Sequence, residues 1–150
     1  MEVSSFSEIQ TEFITRIQKA VYCNMATVDR KSHPRSRIMH PIWDGHIGWV
    51  ISWPETLKSK HLQDNPDVSL AYIQDSIKPV YVDAKAEWVN EADEKLRIWE
   101  LHKSIPTPLG FDPEPNYGTI NNNYYGLLRF TPWRIALGDL HGEPIIWRQK

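Results

Sequence analysis

The chain has 150 residues, a length that fits a single domain, 1–150. Its 17 Lys and Arg against 19 Asp and Glu leave a net charge of −2, which argues against a general nucleic-acid binder and leaves room only for a local basic patch. The lone cysteine, Cys23, excludes an internal disulfide and fits a cytoplasmic protein; neither a signal-peptide pattern nor a membrane-length apolar run is visible.

Ser5 and Glu8 are spaced as a capping box. Phe6, Ile9, Phe13, Ile17 and Ala20 then recur at spacings of three and four, which predicts an amphipathic helix ending near Ala20. Val21 to Asp29 reads as a central strand with Cys23 as a buried, inert thiol. After a turn at Arg30 to His33, Arg35 to Trp43 is the return strand. Asp44-Gly45 signals a hairpin, and Ile47 to Ser52 completes a three-stranded meander. Pro54 suits the first turn of a short helix capped by Ser52 or Trp53 and ended by Asn65-Pro66.

Val68 to Tyr72 is a further strand, and Val80 to Trp88 shows the clearest alternation of apolar and polar residues in the chain. Asn90 caps a helix that runs to about Ser104, with Glu91, Asp93 and Glu94 in its first turn. Ile105 to Asn123 carries four prolines and reads as a functional loop, a lid or a clasping arm held by Phe111 and Tyr117. Leu127 to Thr131, Ile135 to Leu137 and Ile145 to Trp147 are the last strands, with a turn at Leu140 to Glu143. Many short strands with few helices predict a mainly β fold, a small β-barrel with flanking helices.

Two features point to chemistry. Arg35 and Arg37 stand two apart on a strand and therefore aim their guanidinium groups at one region of space. Such a pair suits a phosphate, which accepts two parallel hydrogen bonds from a guanidinium fork; a solvated basic edge strand is the alternative on this fragment alone. Lys58 falls near a helix start, the wrong end for a cation unless an anion docks there. Arg35, Arg37, Thr56 and Lys58 thus converge on one candidate phosphate site. Trp49 and Trp53 flank the helix and are candidates to border a flat ring. No Gly-rich phosphate loop or Cys-x-x-Cys pair exists, and the six histidines show no metal-ligand spacing.

In order and spacing, these pieces resemble the pyridoxamine 5′-phosphate oxidase-like, FMN-binding split-barrel family. The likeness runs from Ala26-Thr27-Val28-Asp29 and Pro34-Arg35-Ser36-Arg37 through Trp43-Asp44-Gly45, Thr56-Leu57-Lys58, Asn65-Pro66 and Val68-Ser69-Leu70 to Thr131-Pro132-Trp133-Arg134-Ile135. It implies an antiparallel Greek-key barrel and a homodimer with flavin at the subunit interface. By resemblance, Arg37 and Lys58 hold the FMN phosphate with Arg35 and Thr56 close by. The backbone of Ile38, Met39 and His40 borders the ring, and Ile51 and Ser52 lie alongside it. A flavin-dependent oxidoreductase acting on a small-molecule redox substrate is the implied activity. Deazaflavin or haem, the latter through His40, and a non-catalytic flavin-binding or flavin-sensing role are the alternatives.

The sequence also departs from true pyridoxamine phosphate oxidases. Ile42 stands where they carry a lysine, and no Arg-x-His pair occurs near the C-terminus. Gly138 stands where many relatives place a tryptophan. The vitamin-B6 substrate site is therefore not expected, and no catalytic residue is identified.

Overall fold

The computed structural model describes all 150 residues. Nine strands form one sheet: β1 (Glu2–Val3), β2 (Cys23–Val28), β3 (Pro34–Met39), β4 (Ile42–Asp44), β5 (Ile47–Ser52), β6 (Asp67–Tyr72), β7 (Val80–Val89), β8 (Gly126–Leu137) and β9 (Ile145–Arg148). Helices α1 (Gln10–Ala20), α2 (Leu57–Asp64), α3 (Ala92–Ser104) and the single turn α4 (Glu114–Tyr117) pack around it. The sheet order is β1-β9-β8-β7-β6-β2-β3, with β5 also paired to β8 and β4 to β5. Every pairing is antiparallel except β1 with β9.

The alternation expected in β7 holds: Val80, Val82, Ala84 and Ala86 are buried, while Tyr81, Lys85 and Glu87 face water. The main core joins these side chains to Phe13 and Ile17 of α1, Met25, Leu70, Leu128, Phe130 and Ile135. Each large apolar side chain withdrawn from water contributes about 1.5–3 kcal/mol. A second cluster of Ile42, Trp49, Val89, Ile98 and Leu127 seats α3. No helix is long and apolar enough to cross a membrane.

Strand β8 is the pivot of the architecture. One edge pairs with β7 along its length, whereas the other pairs with β5 over Gly126–Phe130 and with β9 over Arg134–Leu137. The change of neighbour falls at Pro132 and Trp133. Pro132 has no N–H to give a ladder, and Trp133 is skipped by the β7 register between Asp83 and Ala84. The two strands expected over Leu127 to Thr131 and Ile135 to Leu137 are therefore one, and the irregularity accommodates the proline between them.

Several other expectations need correction. The three-stranded meander is two separate hairpins: β3 pairs only with β2, and β5 pairs with β4 and β8. The return strand expected over Arg35 to Trp43 is interrupted at His40-Pro41, where the missing N–H of proline releases the ladder. The helix read from Pro54 begins at Leu57 with Thr56 as its cap residue, and the helix expected after Asn90 is capped at Glu91. The N-terminal capping box is present, but it opens a 3-10 turn over Phe6–Glu8 that leads into α1. Cys23 is 1% exposed, and burial pushes its thiol up to about 12.

A cationic groove as the candidate functional site

The hairpin β2–β3 pairs Thr27 with Arg35 and Met25 with Arg37. Helix α2 is fixed beside it through His61, which is buried and lies 2.9 Å through Nδ1 from Thr27 Oγ1. That anchor brings the first turn of α2 against the arginine-bearing strand. Arg35, Ser36, Arg37, Thr56, Leu57 and Lys58 consequently line one open groove of about 290 Å³.

The groove holds cations without acids. Arg37 is half-buried and donates through Nη1 to the Met25 carbonyl at 3.1 Å. Lys58 is only 8% exposed, and its Nζ donates to Thr56 Oγ1 at 2.9 Å. Neither makes an ion pair; only Arg35, at the outer end, approaches a carboxylate, 3.8 Å from Asp29. Burial first, and the Arg35 charge second, lower the Arg37 pKa. Burial and then Arg37 lower that of Lys58. An anion placed between them relieves both effects.

The start of α2 adds to the same field. The Thr56 side chain caps no backbone N–H, because its hydroxyl accepts from Lys58 and lies 3.3 Å from Ser59 Oγ. The amides of Leu57 and Lys58 have no backbone acceptor. Free N–H groups, two cations and a hydroxyl facing one groove form a site for a phosphate or similar oxyanion.

The other residues singled out in the sequence lie nearby without lining the groove. Ile38 is 67% exposed and Met39 is buried in the core, so only the Met39 backbone is available to a ligand. Ile51 and Ser52 end β5, half-buried and paired with Leu127 and Gly126. His40 sits at the β3–β4 connection with the Tyr22 ring tilted against it at 4.9 Å, and its Nε2 is buried without a partner.

Trp49 lies in the second core cluster at 2% exposure, which removes it as a ring border. Trp53 stays 43% exposed and packs on Tyr124 at 5.1 Å. The sequence reading missed Ser36 and Leu57. Strand alternation assigns Ser36 to the face opposite the arginines, and Leu57 reads as a core residue by its chemistry.

The chain matches the pyridoxamine 5′-phosphate oxidase family over residues 9–109, a span holding both β3 and α2. The chain belongs to this family. Among solved structures, a family protein from Clostridium acetobutylicum related to general stress protein 26 is 16% identical, with a TM-score of 0.74 and 94% of each chain covered. A pyridoxamine 5′-phosphate oxidase-related, FMN-binding protein from Nostoc punctiforme is 14% identical, with a TM-score of 0.64 and 91% of this chain and 87% of that one covered. The haem storage protein HutZ of Vibrio cholerae is 19% identical, with a TM-score of 0.61 and coverages of 83% and 89%. At these identities the likeness establishes the fold, the mainly β split barrel of the family. No curated protein gives a significant match.

Proposed function

We propose that the β3–α2 groove holds the phosphate of FMN and that the protein is a flavin-dependent oxidoreductase acting on a small molecule. The observation that carries the reading is the convergence of Arg37, Lys58 and Thr56 with no acidic residue paired to either cation. Arg37 and Lys58 grip the phosphate, and Arg35 supplies outer charge. The backbone from Ile38 to His40 and the ends of Ile51 and Ser52 border the ring. Bound flavin supplies the redox chemistry, while the chain binds it, orients it and sets the field around it.

The FMN-binding description of the Nostoc punctiforme structure supports the choice of ligand. The exposed Ile38 beside the groove, on an edge strand, supports a homodimer that covers the ring from the other side. Purified protein titrated with FMN tests the reading: quenching of flavin fluorescence at stoichiometric ratio is expected, and no binding refutes it. Reduction of the bound flavin by a nicotinamide donor distinguishes an oxidoreductase from a flavin store or sensor. Sedimentation at micromolar concentration tests the dimer, and titration with a deazaflavin tests that variant of the ligand.

Haem is the second reading, favoured by the likeness to HutZ. His40 is the histidine to test as an axial ligand. Its Nε2 is buried without a partner, so coordination through that nitrogen requires the residues covering it to move away. The cationic groove, by contrast, is already open to an incoming phosphate.

A further inference from the structure

A second cavity, which shares no lining residue with the cationic groove, lies where α1 faces the proline-rich segment. It measures about 100 Å³ and is open on one side. Eight of its ten lining residues are hydrophobic. Ile14, Gln18 and Val21 supply one stripe of α1 at helical spacing; Ile42, Ile105 and Leu109 form the opposite wall. The floor is closed by Tyr72, whose hydroxyl accepts from Trp43 Nε1 at 2.9 Å. The floor is thereby satisfied internally and offers a ligand mostly apolar surface.

One wall of the cavity is strained. Val21 ends α1 at φ 64 and ψ −54, and the Tyr22 N–H donates to the Ala20 carbonyl at 2.7 Å. This is a tight three-residue turn that a β-branched side chain adopts only under strain. The turn sets the Val21 side chain into the cavity wall instead of continuing the helix. An enclosed apolar cavity of about 150 Å³ takes up benzene; at about 100 Å³ and open on one side, this one admits a single ring with part of the molecule left at the rim.

We propose that this cavity binds a monocyclic aromatic molecule carrying one polar substituent, of the phenol class. The ring fills the space between Ile14, Ile42 and Leu109. The substituent lies at the open rim, where the Gln18 amide is exposed and makes no hydrogen bond within the chain.

Phenol titrated into the full-length protein, followed by saturation-transfer NMR, is the test. Saturable binding with a Kd on the order of 1 mM is expected. Leu109→Trp, which fills the cavity from one wall, weakens it roughly tenfold or more. Gln18→Trp, altered at an exposed helix position, does the same from the rim and carries the test should Leu109→Trp not fold. Inorganic phosphate, which addresses the cationic groove, leaves phenol binding unchanged. Absence of saturation in the wild type, wild-type affinity in a folded cavity variant, or displacement by phosphate overturns the proposal.

Discussion

Lys58 Nζ donates to Thr56 Oγ1 at 2.9 Å and so takes the hydroxyl that would otherwise cap the helix both residues begin. The helix start is left with free amides and a buried ammonium that no carboxylate offsets. Such an arrangement costs stability in the ligand-free protein and is recovered when an oxyanion arrives.

Opposite effects on binding and stability follow for Lys58→Met. Removing a buried, unpaired cation is expected to stabilise the ligand-free protein by on the order of 1 kcal/mol, seen as a higher urea midpoint. The same change should weaken FMN binding by about 1.5–3 kcal/mol, roughly ten- to hundredfold in Kd. Arg37→Ala should weaken binding by a similar amount. Fluorescence titration and chemical denaturation of each variant check both signs.

Acid should destabilise the fold through His102. This ring is 1% exposed, both of its nitrogens lack partners, and burial, followed by the His40 charge, lowers it from 6.5 to about 4. The unfolded chain therefore takes up this proton near pH 6.5, and the folded chain only near pH 4. Above that window the group adds no pH dependence; as pH falls through it, about 3 kcal/mol is lost. His102→Phe should remove this part of the acid slope in unfolding measured across the window, with Phe111 still 4.8 Å away to pack on the new ring.

Gly126→Ala should disturb the groove from a distance. An added Cβ would meet Pro54 Cγ at 2.5 Å, the Ser52 carbonyl at 2.6 Å and the Trp88 ring at 2.7 Å. Pro54 belongs to the connection that delivers Thr56 and Lys58, so forcing it outward shifts the helix start. A loss of about 1–3 kcal/mol in stability is expected, together with weaker FMN binding. Denaturation and flavin titration of the one variant measure both.

Cys23 should ignore thiol reagents in the native protein. A buried thiol raised to about 12 carries almost no thiolate at neutral pH. Reaction with a disulfide reagent is expected only as denaturant unfolds the chain, and rapid native labelling would contradict the burial of β2.

The cationic groove was legible because each of its parts is a local pattern. Arg35 and Arg37 follow the two-residue period of a strand, and Lys58 follows from its place just inside a helix. The onset of that helix was misread since Pro54 fits a turn as well as a first helical position. What remained hidden depends on distant partners. Nothing around Trp49 and Trp53 says that β8 and α3 bury the first and leave the second exposed. His102 likewise reads as an ordinary helix-end histidine until Leu109, Gly110 and Phe111 fold back over it. An added Gly110 Cβ would strike the Ile105 and His102 carbonyls. The β1–β9 pair has no local signature, because two residues form no period.

The divided pairing of β8 also orders events in time. The β2–β3 hairpin closes within a few residues and can present its arginines early, as short loops close fast. Strand β5, which leads into the lysine-bearing helix, finds its second neighbour only at Gly126–Phe130. Both jaws of the anion site are joined early through His61 and Thr27, but the strand that feeds the lysine-bearing helix keeps an open edge until residues 126–130 have emerged. Rigid seating of that helix therefore waits for the last fifth of the chain.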